Sequence, residues 1–389
     1  YVNEIDDELE IEHISDEEAY PFITWVGEEV DEAYYKAVMG IEINPGLDKS
    51  DFKIVYSPQH GADNIPVRTC LKRLGYDIVP VLAQCAPDPD YTNTKSPNPE
   101  VDASYELAIK LAKEVDADVV AITDPDGDRL GVVAKHNGEY VLMSGNQSAA
   151  VYLEYILSQR KEKGTLPDNA VMYNTIVTSD LGELVARNYG VDVEKTLTGF
   201  KFIGDKIRKY EKTHEKQFIF GYEESYGCVV EDFVRDKDAV QAVLLAAECG
   251  NYYKKQGKDL IDVLNELYAK YGTFKESQIA LAKAGAAGAA RIKEMMDTLR
   301  KDKPTEIGGV KVVLSEDYAT SERSDGTTID LPKSNVLKYY LEDGSWIAAR
   351  PSGTEPKCKF YFSIKGKDAK DAADKTEVFH KAMMELIGE

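Results

Sequence analysis

The sequence of 389 residues lacks the features that mark membrane-spanning and disulfide-stabilised proteins. No window approaches the ~20 consecutive apolar residues that a membrane-spanning helix needs, and the opening residues Tyr-Val-Asn-Glu do not predict a signal peptide. The five cysteines are scattered and form no Cys-x-x-Cys pair, so neither a disulfide framework nor a zinc site is predicted. We therefore expect a cytoplasmic protein without a membrane partner.

Basic residues are also scarce relative to acidic ones. The chain has 47 Lys and Arg against 69 Asp and Glu, a formal net charge of −22. This charge argues against a nucleic-acid partner, because such proteins bind phosphates through basic patches. An anionic small ligand would need a local cluster of cations to hold it against the repulsive field of the whole chain.

What the sequence contains is a regular succession of strands and helices. Residues 1–45 are acidic with one predicted helix at residues 27–41. In residues 46–139 and again in residues 140–273, short apolar strands alternate with helical patterns, which is typical of parallel βαβ units. Residues 274–389 contain several short strands and a closing helix, and this pattern predicts an α+β domain. An alanine-rich stretch at residues 280–290 is predicted to be helix plus a turn.

The strongest local motif is Asp-Pro-Asp-Gly-Asp-Arg at residues 124–129, directly after a predicted buried strand. Ligands of open α/β sheets gather beyond the carboxyl ends of the strands. The carboxylates of Asp124, Asp126 and Asp128 would repel one another in so short a loop, and a hard divalent cation with oxygen ligands relieves that repulsion. The loop therefore predicts a Mg²⁺ site. An EF-hand is excluded, because Arg129 stands where that motif has glycine.

A second motif reverses the charge of the chain locally. Residues 350–359 read Arg-Pro-Ser-Gly-Thr-Glu-Pro-Lys-Cys-Lys, with three cations and one carboxylate. Arg350 can contact a phosphate with two nitrogens, and Lys359 supplies a point charge. The hydroxyls of Ser352 and Thr354 and the backbone amides around Gly353 complete a plausible phosphate cradle.

Three further segments are weaker on their own. Residues 221–227 read Gly-Tyr-Glu-Glu-Ser-Tyr-Gly, and their carboxylates and hydroxyl suit the paired hydroxyls of a sugar as well as a solvated turn. Residues 198–201 read Thr-Gly-Phe-Lys and residues 235–238 read Arg-Asp-Lys-Asp. Each of these two is, alone, more typical of a helix cap or a surface ion pair than of a site.

Taken together and in this order, these segments resemble the α-D-phosphohexomutase family, on its phosphoglucomutase/phosphomannomutase branch. The resemblance includes Ser-Pro-Gln-His-Gly at residues 57–61 and Ser-Pro-Asn-Pro-Glu at residues 96–100, and it covers nearly the whole chain. It implies two α/β three-layer domains of the phosphoglucomutase type, at residues 46–139 and 140–273. An α+β domain at residues 274–389 follows them.

The resemblance also implies that one part of the family's machinery lies outside this sequence. In the family, an N-terminal domain carries a phosphorylated serine in a loop of the Thr-Ala-Ser-His-Asn-Pro type, and no such loop occurs here. The chain is therefore expected to be a fragment that corresponds to domains two to four, with residues 1–45 as the tail of domain one. Its expected partner is the missing domain in cis, and the fragment alone is expected to be inactive.

The activity that the resemblance implies is transfer of a phosphoryl group between C1 and C6 of a hexose phosphate, through the phosphoserine and a hexose 1,6-bisphosphate. Mg²⁺ would be held by the three aspartates. Arg129 would support the transferring phosphate, and Lys237 would be a general acid or base, which requires a lowered pKa. The residues expected to contact the substrate are Thr198, Gly199, Lys201, Glu223, Ser225, Arg350, Ser352, Gly353, Thr354 and Lys359.

Two alternatives stay open. A strand followed by Asp-x-Asp-Gly also opens phosphohydrolases in which the first aspartate, here Asp124, is the nucleophile, although those enzymes have threonine where this chain has Asp128. A non-catalytic sugar-phosphate-binding module would contain the same anion-binding segments. The distance of more than 200 residues between the two motifs favours the mutase, because a bisphosphate that turns end for end needs two facing anion sites. Glucose, mannose and pentose phosphates all remain candidate substrates.

Overall fold

Three β-sheets, each with helices packed on it, make up the computed structural model, which describes residues 4–5, 7–353 and 355–389. Two helices, α1 (Asp16–Ala19) and α2 (Glu28–Met39), precede the first sheet, which confirms the helix predicted at residues 27–41. Single 3-10 turns occur at Glu8–Glu10, Tyr20–Phe22, Leu82–Gln84 and Asp102–Tyr105. Within the described residues, no helix is both long and apolar enough to cross a membrane.

The first unit is a five-stranded sheet with two helices. Its elements are β1 (Lys53–Ser57), α3 (Asn64–Leu74), β2 (Asp77–Pro80), α4 (Glu106–Val115), β3 (Val119–Thr123), β4 (Leu130–His136) and β5 (Glu139–Met143). The strand order is β2-β1-β3-β4-β5, with β1 parallel to β2 and β3 and the last two strands antiparallel. The Asn-Gly pair at residues 137–138, between two apolar runs, predicts a hairpin with a type I′ turn. Both residues have positive φ and they connect β4 and β5, so this prediction is confirmed.

The second unit repeats this topology. Its elements are α5 (Gly145–Glu162), β6 (Ala170–Thr175), α6 (Leu181–Asn188), β7 (Asp192–Thr196), α7 (Phe200–Thr213), β8 (Gln217–Tyr222), β9 (Cys228–Val229), α8 (Ala239–Lys254) and α9 (Leu260–Tyr271). The strand order β7-β6-β8-β9 matches the order β2-β1-β3-β4 of the first unit. In both sheets the first three strands are parallel, so each unit presents its loops at the carboxyl ends of those strands.

The third unit is antiparallel. Its elements are β10 (Thr273–Ala282), α10 (Gly285–Lys301), β11 (Glu306–Ile307), β12 (Val310–Asp317), β13 (Glu322–Arg323), β14 (Leu337–Leu341), β15 (Trp346–Pro351), β16 (Lys357–Gly366) and α11 (Ala369–Leu386). Residues of α10 and α11 pack on one face of the sheet in a single apolar core. The predicted fold class, two α/β units followed by an α+β unit, is thus confirmed.

The alanine-rich stretch differs from its prediction. Residues 280–282 belong to β10, because they continue the antiparallel ladder with β16, where Ala280 is paired with Lys359 and Ala282 with Lys357. Helix α10 begins only at Gly285, and Gly288 lies inside it rather than in a turn. Small side chains allow both structures, and the long-range pairing with β16 decides between them.

The first two units share one apolar core. Helix α8 of the second unit packs against β3 and β4 of the first, and Gly250 of α8 leaves room for the Phe52 ring. A single cluster of buried side chains runs through both sheets. The predicted domain limits at residues 45, 139 and 273 stay predictions, while the first sheet itself continues to Met143. This shared core holds the carboxyl edges of the two sheets against each other.

Candidate functional site

Loops from the first and second units are hydrogen-bonded directly to each other. The segment at residues 124–129 follows β3, and the segment at residues 223–227 follows β8. The Leu130 N–H donates to the Tyr226 carbonyl at 2.9 Å, and the Ala239 N–H at the start of α8 donates to the Gly127 carbonyl at 3.0 Å. Segments about 100 residues apart in sequence therefore form one junction.

The three aspartates of the first loop converge. One carboxylate oxygen from each of Asp124, Asp126 and Asp128 lies within 4.8 Å of the other two. Asp124 is buried, and its Oδ1 accepts hydrogen bonds from the backbone N–H groups of Asp128 at 3.1 Å and Arg129 at 2.9 Å. Burial raises the pKa of Asp124 to about 6, although its hydrogen bonds with Arg129 act in the opposite direction. Three such oxygens form a donor set that suits a hard divalent cation.

Arg129 is fixed by contacts on both sides. Its Nε donates to Asp124 Oδ2 at 2.5 Å, and its Nη1 donates to Asn98 Oδ1 at 3.1 Å and to Glu100 Oε1 at 3.2 Å. The segment at residues 96–100, which carried no predicted role, thus holds the far end of this guanidinium. The arginine is rigidly oriented at the edge of the acidic loop.

The segment at residues 57–63 packs against the acidic loop and supports it. The Ala62 N–H donates to the Pro125 carbonyl at 3.0 Å, and a Cβ on Gly61 would lie 2.5 Å from Pro125 Cα. The buried carboxylate of Asp63 packs on the backbone of Gly127. Burial, with the charges of Asp238 and the loop aspartates, raises the pKa of Asp63 to about 7. The sequence analysis did not identify Asp63, because this residue lies outside the acidic motif at residues 124–129.

Lys237 reaches the acidic loop from the second unit, but its ionisation differs from the prediction. Its Nζ lies 2.7 Å from Asp128 Oδ2, and Gly227 leaves space for its side chain, since a Cβ there would overlap Lys237 Cδ. We expected a lowered pKa for this amine. Burial does act that way, but the hydrogen bond and charge of Asp128, helped by Asp236, outweigh it and the pKa of Lys237 is raised.

The helix that precedes the first unit also reaches this junction. The hydroxyl of Tyr34 on α2 donates to both oxygens of Asp238, each at 2.9 Å. Asp238 in turn caps the start of α8, where its Oδ1 accepts from the Gln241 N–H at 3.1 Å. An open cavity of about 850 Å³ lies beside these residues, and its lining includes Lys201, Arg208, Arg235 and Lys237.

The two segments proposed for the sugar are joined. Glu223 is buried, and its Oε1 accepts a hydrogen bond from the Gly199 N–H at 2.8 Å. Thr198 and Ser225 are half-buried close to this contact, whereas Lys201 is exposed with its amine over the Phe202 ring. The prediction left these segments as separate weak signals, and the structure brings them together.

The basic segment of the third unit lies beside the same loop. Arg350 is the residue before the last of β15 and is paired in register with Lys359 on β16. Burial and the charge of Glu223 raise the pKa of Glu224 to about 7, while the nearby Arg350 guanidinium lowers it. The Ser352 N–H donates to the Lys357 carbonyl at 2.7 Å, and Gly353 is exposed. Thr354 lies outside the described residues.

All three units therefore contribute to one hollow. A cavity of about 240 Å³ is lined by Glu100 from the first unit, Glu224 from the second and Tyr361 from the third. Gln278 Nε2 of β10 also approaches Glu100 Oε2 at 3.5 Å. The segment at residues 223–227 thus lies next to both the acidic loop and Arg350.

Sequence models of three successive domains match this chain. Their descriptions are "Phosphoglucomutase/phosphomannomutase, alpha/beta/alpha domain II" at residues 32–138, the corresponding domain III at residues 144–271, and the C-terminal domain at residues 287–379. The phosphoglucomutase of Staphylococcus aureus (strain MRSA252) is 36% identical over 382 residues, which are 96% of this chain and 68% of that protein. The chain belongs to the phosphoglucomutase/phosphomannomutase family.

Other relatives agree with this family assignment. The phosphoglucomutase of Staphylococcus haemolyticus (strain JCSC1435) is 36% identical over 373 residues, which cover 94% of this chain and 66% of the relative. This family member thus spans about two thirds of the length of the curated relatives that it matches.

Solved structures share the fold of this family member. The open form of pp63/parafusin, a phosphoglucomutase from Paramecium, aligns with a TM-score of 0.67 at 18% identity over 92% of this chain and 63% of that chain. A putative phosphomannomutase from Thermus thermophilus aligns with a TM-score of 0.64 at 18% identity over 92% of this chain and 66% of that chain.

The contact between Gly61 and Pro125 generates a test of how this family member supports its acidic loop. In Gly61→Ala the new Cβ would press on backbone atoms of Pro125 and Pro58. Overpacking of this kind costs about 1–3 kcal/mol. We expect the Asp128 and Arg129 amides, which are bonded to Asp124, to exchange with deuterium about tenfold faster or more. Gly46→Ala is the control, because no atom lies within 4 Å of its Cβ position. Equal exchange in both variants would contradict the supporting role.

Proposed function

We propose that this chain forms the metal-binding, sugar-binding and phosphate-binding parts of a phosphohexomutase. The reaction is transfer of a phosphoryl group between C1 and C6 of a hexose phosphate, with a hexose 1,6-bisphosphate as intermediate and activator. One observation carries the proposal: the acidic loop and Arg350, more than 200 residues apart, both adjoin the loop at residues 223–227. A bisphosphate that turns end for end needs two charged sites, and in this proposal the acidic loop and the segment around Arg350 supply them.

The identity of the relatives supports a glucose phosphate as substrate. The curated proteins that match at 36% identity are named phosphoglucomutase. The serine that would carry the phosphoryl group belongs, in this proposal, to an N-terminal domain acting in cis, because the family's serine loop does not occur in residues 1–389. The 389 residues alone would then bind the substrate without turning it over.

We propose Mg²⁺ as the cation of the acidic loop, held by Asp124, Asp126 and Asp128. The convergence of three carboxylate oxygens supports this choice, because Mg²⁺ prefers oxygen ligands. When bound, the ion would neutralise negative charge on the phosphoryl group during transfer. Arg129, fixed between Asp124 and Glu100, would present its remaining N–H groups to the same phosphoryl oxygens.

The sugar and its second phosphate would be held on the other side of the hollow. Glu223 keeps one carboxylate oxygen for a sugar hydroxyl while the other accepts from Gly199, and Ser225 would contact a neighbouring hydroxyl. Thr198, Gly199 and Lys201 would close over the substrate and exclude water, which otherwise competes with the sugar hydroxyl for the phosphoryl group. The phosphate that is not reacting would be bound by Arg350, Ser352, Gly353, Thr354 and Lys359.

Lys237 would be the general acid or base of the transfer, and in its protonated form it would act first as the acid. Its raised pKa keeps the amine protonated at neutral pH, and its position beside Asp128 brings that proton to the phosphoryl side of the hollow. A protonated amine there can donate to a sugar oxygen and also balance phosphate charge.

The residue at position 128 favours the mutase over the phosphohydrolase. Phosphohydrolases that open with a strand and Asp-x-Asp-Gly have threonine where this chain has Asp128. Asp128 instead adds a third carboxylate to those of Asp124 and Asp126.

A cytoplasmic location and the absence of a nucleic-acid partner belong to the same proposal. They are supported by five free buried cysteines and by the net charge of −22.

The activity is tested by joining residues 1–389 to a phosphoserine domain of the family. We expect the joined protein to interconvert glucose 1-phosphate and glucose 6-phosphate and to carry labelled phosphate on the serine. Residues 1–389 alone should bind glucose 1,6-bisphosphate without turnover. Release of free phosphate by the unjoined chain, abolished in Asp124→Asn, would support the hydrolase. If the joined protein binds the sugar phosphate without converting it, the chain is a non-catalytic sugar-phosphate-binding module.

The metal assignment predicts the behaviour of Asp126→Asn. Asp126 is exposed, and removing its charge relieves repulsion among the loop carboxylates, so the fold should be kept. Loss of one anionic ligand should weaken Mn²⁺ binding by ~10-fold or more, measured by electron paramagnetic resonance. Asp168→Asn, at an exposed position in the second unit, is the matched control. A titration of Asp126→Asn that superimposes on that control would rule out the ligand role.

The phosphate assignment predicts a selective defect in Arg350→Ala. A hydrogen bond to a charged group contributes about 1.5–3 kcal/mol, so affinity for glucose 1,6-bisphosphate should fall by roughly 10–100-fold. Affinity for free glucose should change little. Calorimetric titrations of both ligands measure the difference, with Lys370→Ala on α11 as a control for loss of a cation from the same unit. Equal losses for the two ligands would be incompatible with a phosphate contact.

A further inference from the structure

A buried lysine lies where the second and third units meet, and it forms no ion pair with any residue that the structure describes. Lys338 on β14 is completely inaccessible to solvent. Its Nζ donates to the carbonyl oxygen of Ile176, in the turn after β6, at 2.7 Å. The same Nζ lies 3.9 Å from the centre of the Trp346 ring and 4.7 Å from that of Tyr340. The side chain thus crosses from one unit to the other.

The charged groups around Lys338 already have other partners. On the second unit, Asp180 and Glu183 pair with Lys195. On the third unit, Glu316 pairs with Arg323 at 2.8 Å and accepts from the Tyr318 hydroxyl at 2.7 Å. Burial, with a smaller effect of Lys195, lowers the pKa of Lys338 to about 7. The amine is therefore stabilised by a carbonyl and two aromatic faces instead of by a carboxylate.

Burying an amine in this way is costly, and an apolar side chain of similar length would avoid the cost. The interface around it is already apolar, since Ile176, Val177 and Leu197 of the second unit belong to one cluster with Trp346 and Tyr361 of the third. Apolar contacts are non-directional and permit sliding. A hydrogen bond with a defined acceptor fixes one relative position of the two surfaces.

The strand that carries Lys338 is close to the basic segment. Lys338 is paired in register with Ala348 on β15, two residues before Arg350. On the other side, Ile176 follows β6, which is paired with β8, the strand that leads into Glu223 and Glu224. A shift of Lys338 against Ile176 would therefore move Arg350 relative to the loop at residues 223–227.

We propose that Lys338 is a positioning residue whose hydrogen bond to Ile176 and packing on Trp346 set the orientation of the third unit, and thereby of Arg350, against the loop at residues 223–227. The orientation is a property of the chain itself. Only the consequence for sugar-phosphate binding rests on the proposed function.

The orientation is measured as a distance between two spin labels. Lys163→Cys at the end of α5 and Lys370→Cys on α11 place labels at exposed positions of the second and third units. The five native cysteines are buried. In Lys338→Met, which keeps the hydrocarbon chain and removes the donor, we expect a shifted or broadened distance distribution. Affinity for glucose 1,6-bisphosphate should fall about tenfold, as expected for a displaced charged contact.

Lys49→Met is the matched control. Lys49 is also buried, pairs with Glu42 at 2.6 Å and lies over the Tyr76 ring at 5.1 Å, so its loss should affect stability without altering the distance between the labels. An unchanged distribution in Lys338→Met, or an equal change in Lys49→Met, overturns the proposal. If Lys338→Met does not fold, Lys338→Gln, which keeps a shorter donor, should give an intermediate distribution, and a native one overturns the proposal.

These readouts separate the two levels of inference. If the unsubstituted chain binds no sugar phosphate, the proposed function fails, but the distance measurement still decides the positioning role. If Lys338→Met changes the distance but not the affinity for glucose 1,6-bisphosphate, the link between orientation and Arg350 is wrong.

Discussion

The contact between Lys237 and Asp128 is the interaction on which the candidate site depends. The acidic loop concentrates negative charge, because it carries three aspartates and the buried carboxylate of Asp63 packs against it. In an isolated first unit, water alone would have to stabilise much of this charge. Arg129 compensates part of it from within the loop, and Lys237 compensates part of it from the second unit. Because the two cations come from different units, both act on the loop only when the two sheets are docked through their shared core.

The same contact explains why the pKa of Lys237 differs from the lowered value expected from the sequence. A lysine in a buried loop suggests a lowered pKa, since burial disfavours the charged form. The sequence could not show that Asp128, 109 residues earlier, lies 2.7 Å from the amine. An opposite charge at that distance outweighs burial, and the sign of the shift is reversed. Local motifs indicate which groups are present, but the partner across the fold decides how they ionise.

The sequence predicted those parts of the structure that depend on residues close to one another along the chain. Three such features are the predicted closing helix, observed as α11, the hairpin at Asn137 and the three-aspartate loop. Each depends on neighbours within one segment. The strand at residues 280–282 was missed because pairing with β16 decides it. Asp63 and Lys338 were missed for the same reason, since each is recognisable only from what lies opposite it in space.

The three segments of the candidate site also differ in how many contacts hold them in place. The acidic loop and the loop at residues 223–227 are joined by backbone hydrogen bonds and by a continuous core, so their separation is fixed. Arg350 reaches them from an antiparallel unit whose contact is an apolar surface with a buried amine at its centre. The position of Arg350 against the other two segments therefore depends on this one contact between the second and third units, whereas the acidic loop and the loop at residues 223–227 are placed by many contacts.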